Sequence, residues 1–268
     1  MSKIKKKFDD LRLENKKALI PFITAGFPNN NICQSIINKL PSMGADIIEI
    51  GMPFSDPMAE GPIIQTSSKL SIDMGHTMMK TFEIVKDFRR IDTNTPIVLM
   101  GYYNPIYRFG TDKFLQNCRE LGVDGLIIVD LPPEHDDELC INAKELGIDF
   151  IRLVTPTTNQ DRLKIILNNS SGFLYYVSIT GITGTKKPEI GPLKESLDFV
   201  REFTHLPIAV GFGIKTPKQV NLINEFSDAV VVGSALVNTI LNALENDESD
   251  EFIINEALGF ISNMKQTN

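Results

Sequence analysis

Residues 45–65 read ADIIEIGMPFSDPMAEGPIIQ. A short apolar run, Ile47-Ile48, holds a carboxylate, Glu49. A loop rich in Pro and Gly follows and carries two more acids, Asp56 and Glu60. Burying an unpaired carboxylate is costly unless it is paired or protonated. Glu49 therefore has two readings. It is a structural acid held by backbone donors or an Arg, or a catalytic acid/base with a raised pKa in an apolar pocket. Neighbouring carboxylates in different environments can take opposite acid and base roles. Asp56, bounded by prolines, reads equally as a solvated turn residue. The residues alone do not rank it against Glu60.

Working outward, the same beat of a short apolar run and then an amphipathic stretch repeats along the chain. The runs are Leu19–Ile23, Asp46–Ile50, Pro96–Gly101, Gly125–Val129, Phe150–Val154, Phe173–Val177, Pro207–Val210 and Ala229–Val232. Helical patterns follow at Ile32–Leu40, Thr77–Phe88, Asp112–Leu121, Glu134–Leu146, Asp161–Leu167, Pro192–Phe203, Pro217–Phe226 and Leu236–Leu244. Near-continuous apolar strands suit a parallel sheet buried on both faces. The Leu-Gly pairs at 121–122 and 146–147 read as helix ends leading into strands. Such units predict an α/β fold of the (β/α)8 TIM-barrel type, one domain over residues 1–268, with a doubly wound sheet as the alternative. Ser2–Leu13 and Phe252–Met264 read as added N-terminal and C-terminal helices, and Glu245–Glu251 as an acidic linker.

The chain has 268 residues, a formal net charge of −7, and three cysteines, Cys33, Cys118 and Cys140, in no CxxC pair. The charge argues against nucleic acid or an anionic membrane as main partner. The odd cysteine count points to reduced thiols, and the charged N-terminus shows no signal-peptide pattern, so a cytoplasmic location is expected.

In a barrel the chemistry gathers at the C-terminal ends of the strands. Gly211 and Gly213 follow the seventh run; Gly233 and Ser234 follow the eighth. Barrels often bind phosphate there, through backbone N–H groups and a helix N-terminus. Gly184 is a third contributor. Tyr102, Tyr175 and Phe212 stand near strand ends, as ordinary core or as the lining of a flat aromatic substrate's pocket. His76, His135 and His205 lie away from these ends without metal-ligand spacing. The strand runs hold no Lys for a Schiff base, and no G-x-S-x-G elbow appears.

Beyond these generic signals, particular runs resemble the tryptophan synthase alpha subunit family. They are Pro21–Pro28, the Glu49 strand, Gly51–Pro57, Met100–Pro105, Val129–Pro132, Ser178–Gly184, Gly211–Gly213 and Gly233-Ser234. The resemblance spans nearly the whole chain. It implies a barrel that cleaves indole-3-glycerol phosphate to indole and glyceraldehyde 3-phosphate by a retro-aldol reaction, without metal or cofactor in this subunit. It also implies a pyridoxal-phosphate-dependent beta subunit as partner, in an α2β2 assembly. Carried over by position, Glu49 is the general acid/base, Glu60 faces the indole N–H, and Tyr175 lies beside the substrate. Phe22, Met100 and Asp130 fall in the pocket region, and Thr183 in a loop that closes over substrate. Gly184, Gly211, Phe212, Gly213, Gly233 and Ser234 match the phosphate region. Pro53, Asp56, Pro57, Asn104 and Pro132 match the partner interface. Glu60 departs from the family's usual Asp by one methylene. That departure leaves a rival expectation: a catalytically weak barrel that chiefly activates the beta subunit.

Overall fold

The computed structural model describes residues 1–177, 190–211 and 213–265. Thr183, Gly184, Phe212 and Ser178 lie outside the described residues. Nine short strands run parallel: β1 (Ala18–Thr24), β2 (Ile48–Gly51), β3 (Ile97–Gly101), β4 (Gly125–Ile128), β5 (Asp149–Phe150), β6 (Arg152–Val154), β7 (Leu174–Val177), β8 (Ile208–Gly211) and β9 (Ala229–Val232). Their order is β5-β4-β3-β2-β1-β9-β8-β7-β6. Ile151 alone separates the two outermost labels, and its N–H donates to Leu126 O at 2.9 Å. One extended run, 149–154, therefore joins β4 on one side to β7 on the other and closes a TIM barrel. The expected fifth strand is this run, interrupted at one residue. The doubly wound alternative, which leaves the sheet open, is excluded.

The helices are α1 (Lys3–Leu13), α2 (Asn30–Lys39), α3 (Pro62–Asp73), α4 (Met78–Arg89), α5 (Tyr103–Phe109), α6 (Thr111–Leu121), α7 (Cys140–Glu145), α8 (Gln160–Leu167), α9 (Ile190–Arg201), α10 (Pro217–Asn224), α11 (Ser234–Glu245) and α12 (Asp250–Lys265). Local chemistry sets several of their ends. Asn29, Thr77 and Asn159 accept from the third N–H of α2, α4 and α8, and Thr216 with Gln219 forms a capping box on α10. Gly122 takes a left-handed φ of 81° after α6 and Gly147 one of 77° after α7, as the Leu-Gly pairs predict. The apolar face of α1, Ile4, Phe8 and Leu11, is buried at the N-terminal ends of the strands, where the Phe8 and Phe173 rings lie 5.8 Å apart.

Four segments differ from the expectations. Helices α3 and α5 arise where the sequence pattern gave loop. The span Glu134–Leu146 is a 3-10 turn, Pro133–Glu138, and the short α7, broken at Leu139 with φ −153°. The expected linker is shorter, because α11 runs to Glu245 and α12 begins at Asp250.

Candidate active site

Glu49 sits on β2, in register with Phe22 of β1 and Val98 of β3. It is 1% exposed, and neither carboxyl oxygen has a hydrogen-bond partner among the described residues. Burial, then the charge of Glu60, pushes its pKa up to about 8. Glu60 ends the loop after β2, on a turn in which its own N–H donates to Pro57 O at 3.0 Å. Burial pushes the Glu60 carboxyl up to about 7. Tyr175 on β7 is buried, and burial, then Glu49 and Glu60, raises its phenol well above the ordinary range. Three groups from two strands and one loop therefore act on one another across the barrel mouth.

Glycines make room for the aromatic rings. A Cβ at Gly51 would strike the Phe22 ring, and one at Gly211 would strike the Tyr175 phenol. Sequence reasoning used Gly211 for phosphate and missed this packing role. Its signal was a glycine at the last position of a strand. Gly213 adopts φ 79°, which favours glycine. Gly233 caps α11 without a side-chain cap bond, and Ser234 is the first residue of that helix. An uncapped helix start offers N–H donors and the positive end of its dipole to an anion.

Other expected residues take their places less simply. Met100 ends on the same level as Gly51 and Ile127 and is 8% exposed. Asp130 spends one oxygen on the Tyr103 N–H at 2.7 Å, holding the start of α5. Thr24, the last residue of β1, is buried against Ser67 at 2.7 Å. Pro53, Asp56 and Pro57 lie on the β2–α3 loop, Asn104 on α5 and Pro132 after β4. Asp56, Asn104 and Pro132 are exposed. Met58 and Tyr107 add exposed apolar surface from the same loop and from α5, at 74% and 67% exposure. The sequence reading passed over both, because a single exposed apolar residue leaves no pattern. His76 is structural: it contacts Asn30 Oδ1 and Thr81 Oγ1, and burial lowers its pKa to about 4.

Residues 8–267 match the family model described as tryptophan synthase alpha chain. The chain belongs to the tryptophan synthase alpha chain family. The fold agrees with solved members. A tryptophan synthase subunit alpha from Legionella pneumophila is 38% identical, covers 100% of this chain and 98% of its own, and superposes with a TM-score of 0.91. The tryptophan synthase complex from Pyrococcus furiosus is 39% identical over 90% of this chain and 98% of that one, with a TM-score of 0.78. Tryptophan synthase from M. tuberculosis, in an aminoacrylate-bound form, is 27% identical over 100% and 99%, with a TM-score of 0.87. Tryptophan synthase alpha chains are carbon–carbon lyases of tryptophan biosynthesis, and this chain is one of them.

Proposed function

We propose that Glu49, Glu60 and Tyr175 form the centre that cleaves indole-3-glycerol phosphate to indole and glyceraldehyde 3-phosphate. The observation that carries this reading is a pair of carboxyls lifted by burial at one mouth, Glu49 to about 8 and Glu60 to about 7, with neither Glu49 oxygen partnered among the described residues. Both are pushed toward neutrality and Glu49 further, so when the pair holds one proton the mouth carries an acid and an anion together. Such coupled groups titrate as a pair.

Protonated Glu49 gives its proton to indole C3, and positive charge develops at the ring nitrogen. The Glu60 carboxylate stabilises that cation. The Glu49 carboxylate then takes the proton of the glycerol hydroxyl, and the C–C bond breaks. Its electron pair returns to the ring, leaving indole and an aldehyde, with Glu49 protonated again. Phe22, Met100 and Tyr175 supply apolar walls for the ring. Gly211, Gly213, Gly233 and Ser234 hold the phosphate, whose binding energy orients the distant bond. Roles for Thr183, Gly184 and Phe212, and for Asp130 at the pocket edge, follow the family resemblance.

The same reading gives the chain no cofactor of its own and a pyridoxal-phosphate-containing beta subunit as partner, in an α2β2 assembly of the cytoplasm. The partner is supported by the exposed residues Asp56, Met58, Asn104, Tyr107 and Pro132 on the segments after β2, β3 and β4, two of them large and apolar. Assaying indole release from indole-3-glycerol phosphate, with and without beta subunit, tests the whole reading. Release is expected in both cases, stronger with the partner; no release in either overturns it. Asp56→Ala is expected to weaken stimulation by the beta subunit while leaving the basal rate within about twofold, because its carboxylate is solvated. Equal stimulation of mutant and wild type removes Asp56 from the interface.

A further inference from the structure

The segment that presents Glu60 has few internal ties. Its turn is closed by Met58 N–H to Asp56 O at 2.8 Å and Glu60 N–H to Pro57 O at 3.0 Å. Its start is held by Ser68, whose Oγ accepts from Phe54 N–H at 2.9 Å and donates to Phe54 O at 3.0 Å. Its end is held by Gln65, whose Nε2 donates to Glu60 O at 2.9 Å. Between those anchors, Ala59 N–H reaches out of the loop and donates to Tyr102 Oη at 3.0 Å. That phenol stands directly after β3 and is 3% exposed, with its ring 5.3 Å from the Phe54 ring. Met58 and Ala59 are exposed above it. The loop is thus laid over a buried phenol, and the residue gripped is the one before Glu60.

We infer that Tyr102 is a positioning residue: its phenol oxygen, by holding the Ala59 N–H, fixes how far the Glu60 carboxylate extends over the barrel mouth. The inference rests on the reading of Glu60 as the acid that faces the indole nitrogen. A longer side chain makes the backbone anchor matter more, since a glutamate has one more rotatable bond than an aspartate. The phenol suits a permanent clamp. Burial, then Glu60 and then Asp130, raises its pKa, so it stays neutral through the working range. Around Glu60 the titratable groups are Glu49 on β2, Tyr175 on β7, Tyr102 after β3 and Asp130 after β4. The acceptor on Tyr102 is therefore the neutral hold within an otherwise acidic mouth.

Tyr102→Phe keeps the ring and its packing on Phe54 and removes only the oxygen. With beta subunit present, kcat for indole release is expected to fall about tenfold to a hundredfold with KM near wild type, the scale of a 1 Å misplacement. A loosened Glu60 meets more water, so the acid limb of the kcat–pH profile is expected to move to lower pH. In a Glu60→Gln background the same substitution is expected to add no further loss. Thermal melts establish that each variant is folded at the assay temperature. Wild-type kcat and an unmoved acid limb in Tyr102→Phe overturn the inference, as does an equal fractional loss in both backgrounds. Wild-type turnover in Glu60→Gln itself instead overturns the role of Glu60, and the inference with it.

Discussion

At the N-terminal end of the barrel, Asp124 accepts from Ile97 N–H at 2.8 Å and from Arg89 at 2.6 Å, with Lys3 at 3.4 Å. Asp46 accepts from Leu19 N–H at 2.9 Å and from Lys265 at 2.7 Å. Asp228 accepts from Ile208 N–H and from Arg201, both at 2.9 Å. Each is an Asp just before a strand. It ties that strand to its neighbour and to a basic side chain of a helix or chain end. At the C-terminal end, among the described residues, Glu49 has no such partner and no cation lowers the Glu60 pKa. The same chemical group is neutralised by pairing at one end and by holding a proton at the other. Pairing serves stability, because a buried charge left alone costs several kcal/mol. Leaving a carboxyl unpaired serves proton transfer, because burial then brings its pKa near neutrality. Asp149 is the exception at the bottom, with one buried oxygen unpartnered among the described residues; burial raises its pKa, and that of Asp124 too despite Arg89.

Glu49→Gln keeps shape and removes the proton donor, so turnover is expected to fall by at least about 10²-fold while substrate still binds. Retention of more than about a tenth of wild-type turnover would show that the general acid is another group. Stability is expected to move the opposite way. The folded pKa of about 8 lies above the ordinary value of 4.5, so the folded state holds a proton that the unfolded state loses. That favours folding below 4.5 and is lost as pH rises toward about 8. Gln lacks this titration. Melting curves at several pH values should therefore show the variant gaining on wild type between those limits.

The bottom end answers to the reverse experiment. Arg89 is 11% exposed at its side chain, and besides Asp124 it donates to Gly122 O, Asp92 O and Thr95 O. Arg89→Leu strands the Asp124 carboxylate and three carbonyls, and a loss of about 3–5 kcal/mol of stability is expected by denaturant titration. The turnover of the folded fraction should stay near wild type. A lost rate with intact stability would mean that the two ends are not divided as described.

Much of this was legible in the residues, for physical reasons that differ by element. The strands showed because parallel strands buried on both faces are almost purely apolar, as in Ala229–Val232. Helix α3 did not show, because its inward face is serine. Ser67, Ser68 and Ser71 are buried and bond Thr24, the Phe54 backbone and Ala25 O, so apolar periodicity is missing where the helix packs. Helix α5 was hidden by its brevity and by Pro105, with Ile106 its single buried residue. Glu49 announced itself as an acid within an apolar run. Its nearness to Glu60 and Tyr175 did not, since strand order around a barrel is not local information. The family resemblance supplied those roles. The aspartates before the strands were passed over as a set, because an Asp at a strand start looks like any turn residue.

The smallest effect concerns two glycines, one at each end. A Cβ at Gly125, where β4 begins, would lie 2.7 Å from Ile151 Cδ1 and 2.9 Å from Ile4 Cδ1. A Cβ at Gly211, where β8 ends, would overlap the phenol of Tyr175, whose backbone lies in register with Leu153 and Ala209. Both substitutions to Ala overpack a full interior, which typically costs about 1–3 kcal/mol. What has to yield differs. At Gly125 it is the flexible ends of two isoleucines. At Gly211 it is the ring beside both raised carboxyls. Gly125→Ala is therefore expected to lower the melting temperature without changing turnover. Gly211→Ala is expected to show a similar melting shift together with a loss of about tenfold in kcat, equivalent to 1.4 kcal/mol in the transition state. Measuring both quantities on both variants separates the two neighbours, because the added Cβ meets the flexible ends of isoleucines at Gly125 and the Tyr175 ring at Gly211. If Gly211→Ala keeps full turnover, Tyr175 can be displaced without consequence. Its place beside Glu49 and Glu60 would then be packing, as it is for the isoleucines at the other end.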